Sequence, residues 1–200
     1  MKQRIVFTFL LIAICGVTAS AQENLFGVGW AINFPNNNDY LTKTSFSGGR
    51  VEYRHKFKSK FSIGGAFDWA TYEQHIPRTT IQKPDGNGAI TSDYIAQATQ
   101  IPITLTGHYY FKGGNLLEPY AGIALGAQYL QQSLYYNVYV SDEYSWGFVA
   151  RPEVGTIIKL SDSFGLTASA HYSFATNTLD LLDRSSFNNF GFVIGIMLRQ

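Results

Sequence analysis

The chain has 200 residues, a formal net charge of +1 and no run of like charges, which argues against nucleic acid as a partner and against a polybasic patch for membrane surfaces. Aromatic residues make up 16% of the sequence and charged residues only 14%. That balance is foreign to a soluble exported domain and suits a protein whose outside meets lipid and whose rims carry aromatic girdles.

The sequence opens like an export signal. Lys2 and Arg4 are followed by an apolar run over residues 5–17, and Ala19-Ser20-Ala21 supplies the small-x-small pattern that signal peptidase cuts after. The expected division is a signal peptide over residues 1–21 and one domain over residues 22–200. The apolar run falls short of the roughly 18–20 residues that a spanning helix needs. Cys15, the one cysteine, follows Ile14, whereas a lipoprotein site wants a small residue there. A mature chain without cysteine has no disulfide framework, thiol nucleophile or thiolate metal site. No long apolar run follows residue 21, so helical spans are excluded.

From residue 26 onward the dominant signal is alternation with period two, in eight segments. Segment one sets Phe26, Val28, Trp30, Ile32 and Phe34 against Gly27, Gly29, Ala31 and Asn33. Segment two, the weakest, sets Gly49, Val51, Tyr53 and His55 against Arg50, Glu52 and Arg54. Segment three sets Phe61, Ile63, Gly65, Phe67 and Trp69 against Ser62, Gly64, Ala66 and Asp68. Segment four sets Ile101, Ile103, Leu105, Gly107, Tyr109 and Phe111 against Gln100, Pro102, Thr104, Thr106, His108 and Tyr110. Segment five sets Ala121, Ile123, Leu125, Ala127 and Tyr129 against Tyr120, Gly122, Ala124, Gly126 and Gln128. Segment six sets Phe148, Ala150, Pro152, Val154, Thr156 and Ile158 against Arg151, Glu153, Gly155, Ile157 and Lys159. Segment seven sets Phe164, Leu166, Ala168, Ala170 and Tyr172 against Gly165, Thr167, Ser169, His171 and Ser173. Segment eight sets Phe190, Phe192, Ile194, Ile196 and Leu198 against Asn189, Gly191, Val193, Gly195 and Met197.

Seven charges, Arg50, Glu52, Arg54, Asp68, Arg151, Glu153 and Lys159, all fall opposite the apolar face. A Lys or Arg facing lipid at the midplane costs roughly 2–4 kcal/mol, so the face without charges is the one that can meet lipid. The other face is small and polar, as the narrow interior of an eight-stranded barrel requires. In hydrocarbon every backbone N–H and C=O needs an internal partner, and strands achieve that only in a closed barrel. The expected fold is therefore all-β, an eight-stranded antiparallel up-and-down transmembrane β-barrel.

The connections agree with this reading. Short turns near residues 57–60, 112–115 and 161–163 alternate with longer stretches at 35–46, 73–94, 130–145 and 175–188. Short periplasmic turns and long external loops have that pattern. Pro102 and Pro152 lie inside strands, where a ladder donor is lost, and predict a local bulge or a water-facing position.

Residues 100–111 (Gln-Ile-Pro-Ile-Thr-Leu-Thr-Gly-His-Tyr-Tyr-Phe) and 118–126 (Glu-Pro-Tyr-Ala-Gly-Ile-Ala-Leu-Gly) resemble the central hairpin of the porin-family outer-membrane β-barrel proteins, the small OmpA/OmpX-like group. Residues 151–155 (Arg-Pro-Glu-Val-Gly) resemble the start of that group's third hairpin. The resemblance implies a barrel in the outer membrane of a Gram-negative bacterium and little about activity. Such barrels commonly end in an aromatic residue, whereas the last three residues here are Leu198-Arg199-Gln200.

Two clusters invite chemistry. The interior charges of segment two can face Arg151 and Glu153 across the lumen. Mixed charges there could line a gated polar path, or they could form a paired network that fills the barrel, since isolated charges in a narrow lumen are expensive. His171-Tyr172-Ser173 resembles the His-x-Ser pair of the lipid A 3-O-deacylases, in which the resemblance makes Ser173 the nucleophile and His171 its base. In that family Asn then Ala follow, whereas this chain has Phe174-Ala175, and the register turns both residues into the lumen.

No metal-ligand spacing links His55, His75, His108 and His171, and no cofactor is expected. Residues 134–140 (Leu-Tyr-Tyr-Asn-Val-Tyr-Val) are aromatic and strand-like: either they are rim residues of the aromatic girdle, or they extend the barrel beyond the membrane, where an exposed edge could bind another chain by strand addition. The sequence thus supports three functions: a non-catalytic structural or surface-interaction barrel, a narrow small-solute channel, and a lipid A-modifying hydrolase. The expected partners are outer-membrane lipids and a surface ligand or protein at the external loops, with the protein itself a monomer.

Overall fold

The computed structural model describes residues 23–36, 41–57, 60–82, 86–136, 139–178 and 186–200. The expected signal peptide lies outside the described residues. Eight strands follow in chain order: β1 (Glu23–Asn36), β2 (Ser45–Lys56), β3 (Phe61–Gln82), β4 (Ala89–Tyr110), β5 (Leu117–Tyr136), β6 (Tyr139–Lys159), β7 (Phe164–Ala175) and β8 (Asn188–Arg199). Each pairs antiparallel with its neighbours, and β8 returns to β1 to close the barrel. The register of the closing pair runs from Leu25↔Arg199 to Asn36↔Asn188.

Side-chain direction follows the alternation of the sequence. Val28, Leu105 and Ile194 point outward with 50%, 75% and 59% of their surface exposed, while Arg54 and Arg151 are fully buried inside. A chain with leucines outside and arginines inside is stable only where the outer solvent is hydrocarbon, which makes this a transmembrane barrel. Aromatic rings band both ends of the apolar belt. Phe61, Tyr109 and Phe111 stack at the short-turn end. At the other end lie Trp30 with Phe46, Phe34 with Phe190, Phe67 with Trp69, and Tyr129 with Trp146.

Pro102 and Pro152 do not produce bulges. The β3–β4 pairing skips from Phe67↔Ile103 to Ala70↔Gln100 around Pro102, and the β6–β7 pairing skips from Ala150↔Phe174 to Glu153↔His171 around Pro152. The register is unchanged on either side, and each proline stays paired on its other flank, with Gln128 and Ile123 respectively. Each proline lacks one N–H and disturbs one ladder only. Pro102 is buried on the lumen side, whereas Pro152 is exposed on the lipid side. The shift on β3 comes higher, between Ile76 and Thr79, at Pro77.

Two of the four expected long loops are strand instead. Strands β3 to β6 have 22, 22, 20 and 21 residues, against 12 to 14 in β1, β2, β7 and β8. Most of 73–94 and 130–145 therefore pairs, leaving connections only at 83–88 and 137–138. Cross-strand pairs such as Thr80↔Thr91 and Tyr135↔Val140 continue the hairpins, so the backbone groups are satisfied without a loop. At the tip of β3–β4, Gly86 and Gly88 have φ of 71° and 111°, values that only glycine adopts at little cost. A crossing takes about 9–11 residues, so β3–β6 stand beyond the membrane as a four-stranded blade.

Candidate functional site

The lumen is built in tiers, starting from the end with Glu23, Gln200 and the short turns. At the rim, Glu118 is ringed by Lys56, by Lys159 at 3.4 Å and by Arg199 at 3.4 Å, while Glu23 binds Lys56 at 3.3 Å and also Arg199. Above it Leu25, Tyr110, Tyr120, Ile157 and Met197 make a buried apolar tier.

The third tier holds the charges. Arg50 Nε lies 2.7 Å from Asp68 and its Nη1 2.5 Å from Glu153. Arg54 binds Glu52 at 2.9 Å and Glu153 at 3.4 Å, and its guanidinium lies 4.3 Å over the Tyr120 ring. Arg151 reaches across the barrel to Asp68 at 2.9 Å. The Tyr120 hydroxyl donates to Glu153 at 3.1 Å. All six ionised groups are buried, three of each sign. Lys159 stands apart from them, at the rim with Glu118.

Sequence reasoning missed two partners of this tier, Tyr120 and His108, whose Nε2 lies 3.8 Å from Glu153, although alternation had turned both inward. It also missed Glu118 as the acid of the rim. Glycines make the room. Gly27 faces Glu52, Gly64 faces Arg54, Gly122 faces Glu153 and His108, Gly155 faces Tyr120, and Gly191 faces His171. A Cβ on Gly155 would sit 2.7 Å from the Tyr120 ring, and one on Gly191 2.6 Å from the His171 imidazole. Large side chains fit a narrow lumen because their cross-strand neighbours have none.

His171 and Ser173 lie in this interior, 4% and 2% exposed. The imidazole Nδ1 has no hydrogen-bond partner, so no carboxylate orients it through that atom. Gly191 stands opposite His171, and Asn189 opposite Ser173. Asn189 donates to Gln100, which donates to the Tyr72 hydroxyl. Gln128 and Asn177 bond to each other in the same tier.

Over these amides lies an apolar cap of Leu41, Ala70, Tyr72, Tyr94, Ala96, Ala98, Leu130, Leu134 and Phe187. Seven of the nine come from the inner side of the blade. Leu41 and Phe187 come from the β1–β2 and β7–β8 connections, and the Phe187 ring packs edge-on against Tyr72 at 5.3 Å. Phe187 and Leu41 carry no pattern that sequence reasoning could have read as inward-facing.

The outer side of the blade is mostly polar. Glu73, His75, Asp93, Gln131 and Asp142 are exposed there. A hydrogen bond from His75 holds the Asp93 carboxyl below the usual carboxylate range.

Outer-membrane proteins are among the solved structures that superimpose on this chain. The attachment invasion locus protein Ail of Yersinia pestis, in complex with the heparin analogue sucrose octasulfate, superimposes with a TM-score of 0.56 at 17% identity, over 90% of this chain and all of that one. A second Ail structure gives 0.51 at 14% identity, over 90% of this chain and 97% of that one. A major outer membrane protein from Thermus thermophilus gives 0.60 at 8% identity, over 90% of this chain and all of that one. No protein-family model and no curated protein sequence matches the chain. At these identities the likeness is one of fold: the chain has the architecture of the small OmpA/OmpX-like outer-membrane barrels.

Proposed function

We propose that this chain is a non-catalytic barrel of the Gram-negative outer membrane, exported by a signal peptide over residues 1–21, in which a plugged lumen anchors a surface-interaction blade facing the cell exterior. The observation that carries the reading is the inequality of the strands. Four of them run 20–22 residues, about twice what a crossing needs, and the excess is folded rather than looped. A protein that needed only an anchor would have no use for a paired, capped extension of that size. The even strand number returns both termini to the opposite side, as a secreted chain inserting from the periplasm requires.

Three features support a plug over a channel. The charges neutralise one another, an apolar tier lies beneath them, and the Phe187–Leu41 cap lies above. The hydrolase reading fits poorly, because His171 and Ser173 sit within this packed interior, where a lipid ester has no path to them. The sulfated ligand of Ail needs cations, whereas the described blade carries Glu73, Asp93, Asp142 and Glu143 against Arg78.

The chain's partners on this reading are the lipids around the belt and a protein at the blade, with the barrel itself a monomer. A unique Asp93→Cys on intact cells tests it. A membrane-impermeant maleimide is expected to label that thiol from outside. Labelling only after the outer membrane is permeabilised would overturn the reading. Current steps from the wild-type chain in a planar bilayer, or loss of lipid A acyl chains on overexpression, would favour the channel or the hydrolase.

A further inference from the structure

The two ends of the barrel carry opposite charge. On the blade side the exposed acids Glu73, Asp93 and Asp142 outnumber the exposed cations Lys43 and Arg78 among the described residues. At the short-turn end the balance reverses. Lys56, Lys159 and Arg199 surround Glu118 and Glu23, three cations on two acids. Lys60 and Lys112 are exposed and pair with no described acid, and Asp162 is the only acid in the described parts of the short turns.

The unpaired cations lie on one arc. The Tyr110 N–H donates to the Lys60 carbonyl at 2.7 Å, which sets Lys112, two residues on, beside the β2–β3 turn. The Lys159 N–H donates to the Leu116 carbonyl at 2.8 Å, which brings β6 against the β4–β5 turn. Lys60, Lys112 and Lys159, the last with its side chain 34% exposed, therefore follow one another around the mouth from β3 to β6. On the opposite arc, from β7 to β2, Lys56 and Arg199 are already bound to Glu23 and Glu118.

A second observation falls on the same arc. Just inside the lysines the lipid face carries Phe61, Phe111, Leu116, Leu117 and Leu160, each about half exposed. Tyr109 lies between Phe61 and Phe111, with ring centroids 5.0 and 5.2 Å away, and its hydroxyl bonds to no described residue. Aromatic rings at this depth mark the boundary between acyl chains and headgroups. A lysine whose stem starts there brings its ammonium to the headgroup level.

Building on the reading that the short-turn end faces the periplasm, we propose that Lys60, Lys112 and Lys159 hold anionic phospholipids of the inner leaflet by their phosphodiesters. The acyl chains lie over Phe61, Phe111, Leu116 and Leu117, and the Tyr109 hydroxyl donates to an oxygen of the head. Each lysine close to an anionic surface favours binding by roughly fivefold. A zwitterionic lipid brings its own amine beside the phosphate and gains little from further cations. The lysines are spread over four strands rather than turned on one point, which suits a row of headgroups and not a single compact anion at the mouth.

The test uses the full chain with Cys15→Ser, folded into phosphatidylcholine vesicles, and a fluorophore on one introduced cysteine. Leu117→Cys places the probe beside the lysine arc, and Leu198→Cys places it at the same end on the opposite arc. The vesicles carry a small fraction of nitroxide-labelled lipid, either phosphatidylglycerol or phosphatidylcholine. At Leu117→Cys the labelled phosphatidylglycerol is expected to quench as if about fivefold or more enriched over labelled phosphatidylcholine, and molar salt should erase the difference. Lys60→Gln, Lys112→Gln and Lys159→Gln together should erase it too, while heat-modifiable migration stays that of the folded barrel. Lys43→Gln with Arg78→Gln, on the blade side, should change nothing. Equal quenching by the two lipids at Leu117→Cys, an undiminished difference in the triple variant, or an equal difference at Leu198→Cys would overturn the proposal. Both leaflets of these vesicles are alike, so the result does not depend on which way the chain inserts; the orientation reading fails separately if Asp93→Cys is not labelled from outside.

Discussion

Within the belt, Leu105 points to lipid at 75% exposure while Thr104 and Thr106 face the lumen; higher on the same strand, Tyr94, Ala96 and Ala98 are buried inside and Asp93 looks out. The ladder between β4 and β5 does not slip anywhere between these levels, from Tyr110↔Tyr120 to Ile95↔Tyr135. What changes is which parity carries the apolar residues. It flips between Trp69 and Ala70 on β3, between Ala98 and Ile101 on β4, and between Tyr129 and Leu130 on β5. The belt is folded inside out because its solvent is acyl chains, and the blade is folded like a soluble protein because its solvent is water. One continuous sheet therefore holds two opposite cores, ionic below and aromatic above, and the flip marks the boundary of the hydrocarbon on the blade side.

That contrast can be broken from either side. The largest effect is expected from Glu153→Gln in the lower core, which leaves Arg50 and Arg54 short of a shared acid. Breaking a buried pair costs about 3–5 kcal/mol, and urea titration of the folded band in gel-shift assays should show it. In the upper core, Phe187→Ala empties the cap over Tyr72 and should cost about 3 kcal/mol by the same assay. If Phe187→Ala also produced current steps in a planar bilayer, the cap would be the element that seals the lumen.

Two substitutions on one strand then sharpen the boundary. Leu105→Lys puts a charge into hydrocarbon and should cost roughly 2–4 kcal/mol, whereas Ile95→Lys, outward on the blade, should cost less than about 1 kcal/mol. Equal costs would place the membrane edge elsewhere. Gly155→Ala forces a methyl against the Tyr120 ring and should cost about 1–3 kcal/mol. The smallest effect belongs to Lys159→Ala, a part-exposed member of the rim cluster, at about 1 kcal/mol or less and fading with salt.

Period-two alternation in eight segments between residues 26 and 198 was enough to set the strand number, the lipid face and the inward turn of the charges, because a residue's side of a β-strand is decided by parity alone. The extension of β3 to β6 was partly legible too: the inverted parity of Tyr94, Ala96 and Ala98 was in the sequence, but expecting one polarity throughout put Tyr94 in a loop and left Ala96 and Ala98 outside every segment. Partnership was not legible. That Arg151 meets Asp68 across the lumen while Lys159 stays at the rim with Glu118 depends on strand stagger and barrel closure, which bring together residues far apart in the chain. The same holds for Leu41 and Phe187, whose places in the cap follow from the height of the blade against which they pack. Local chemistry along a strand decides which way each side chain points, and only the closed sheet decides what it meets there.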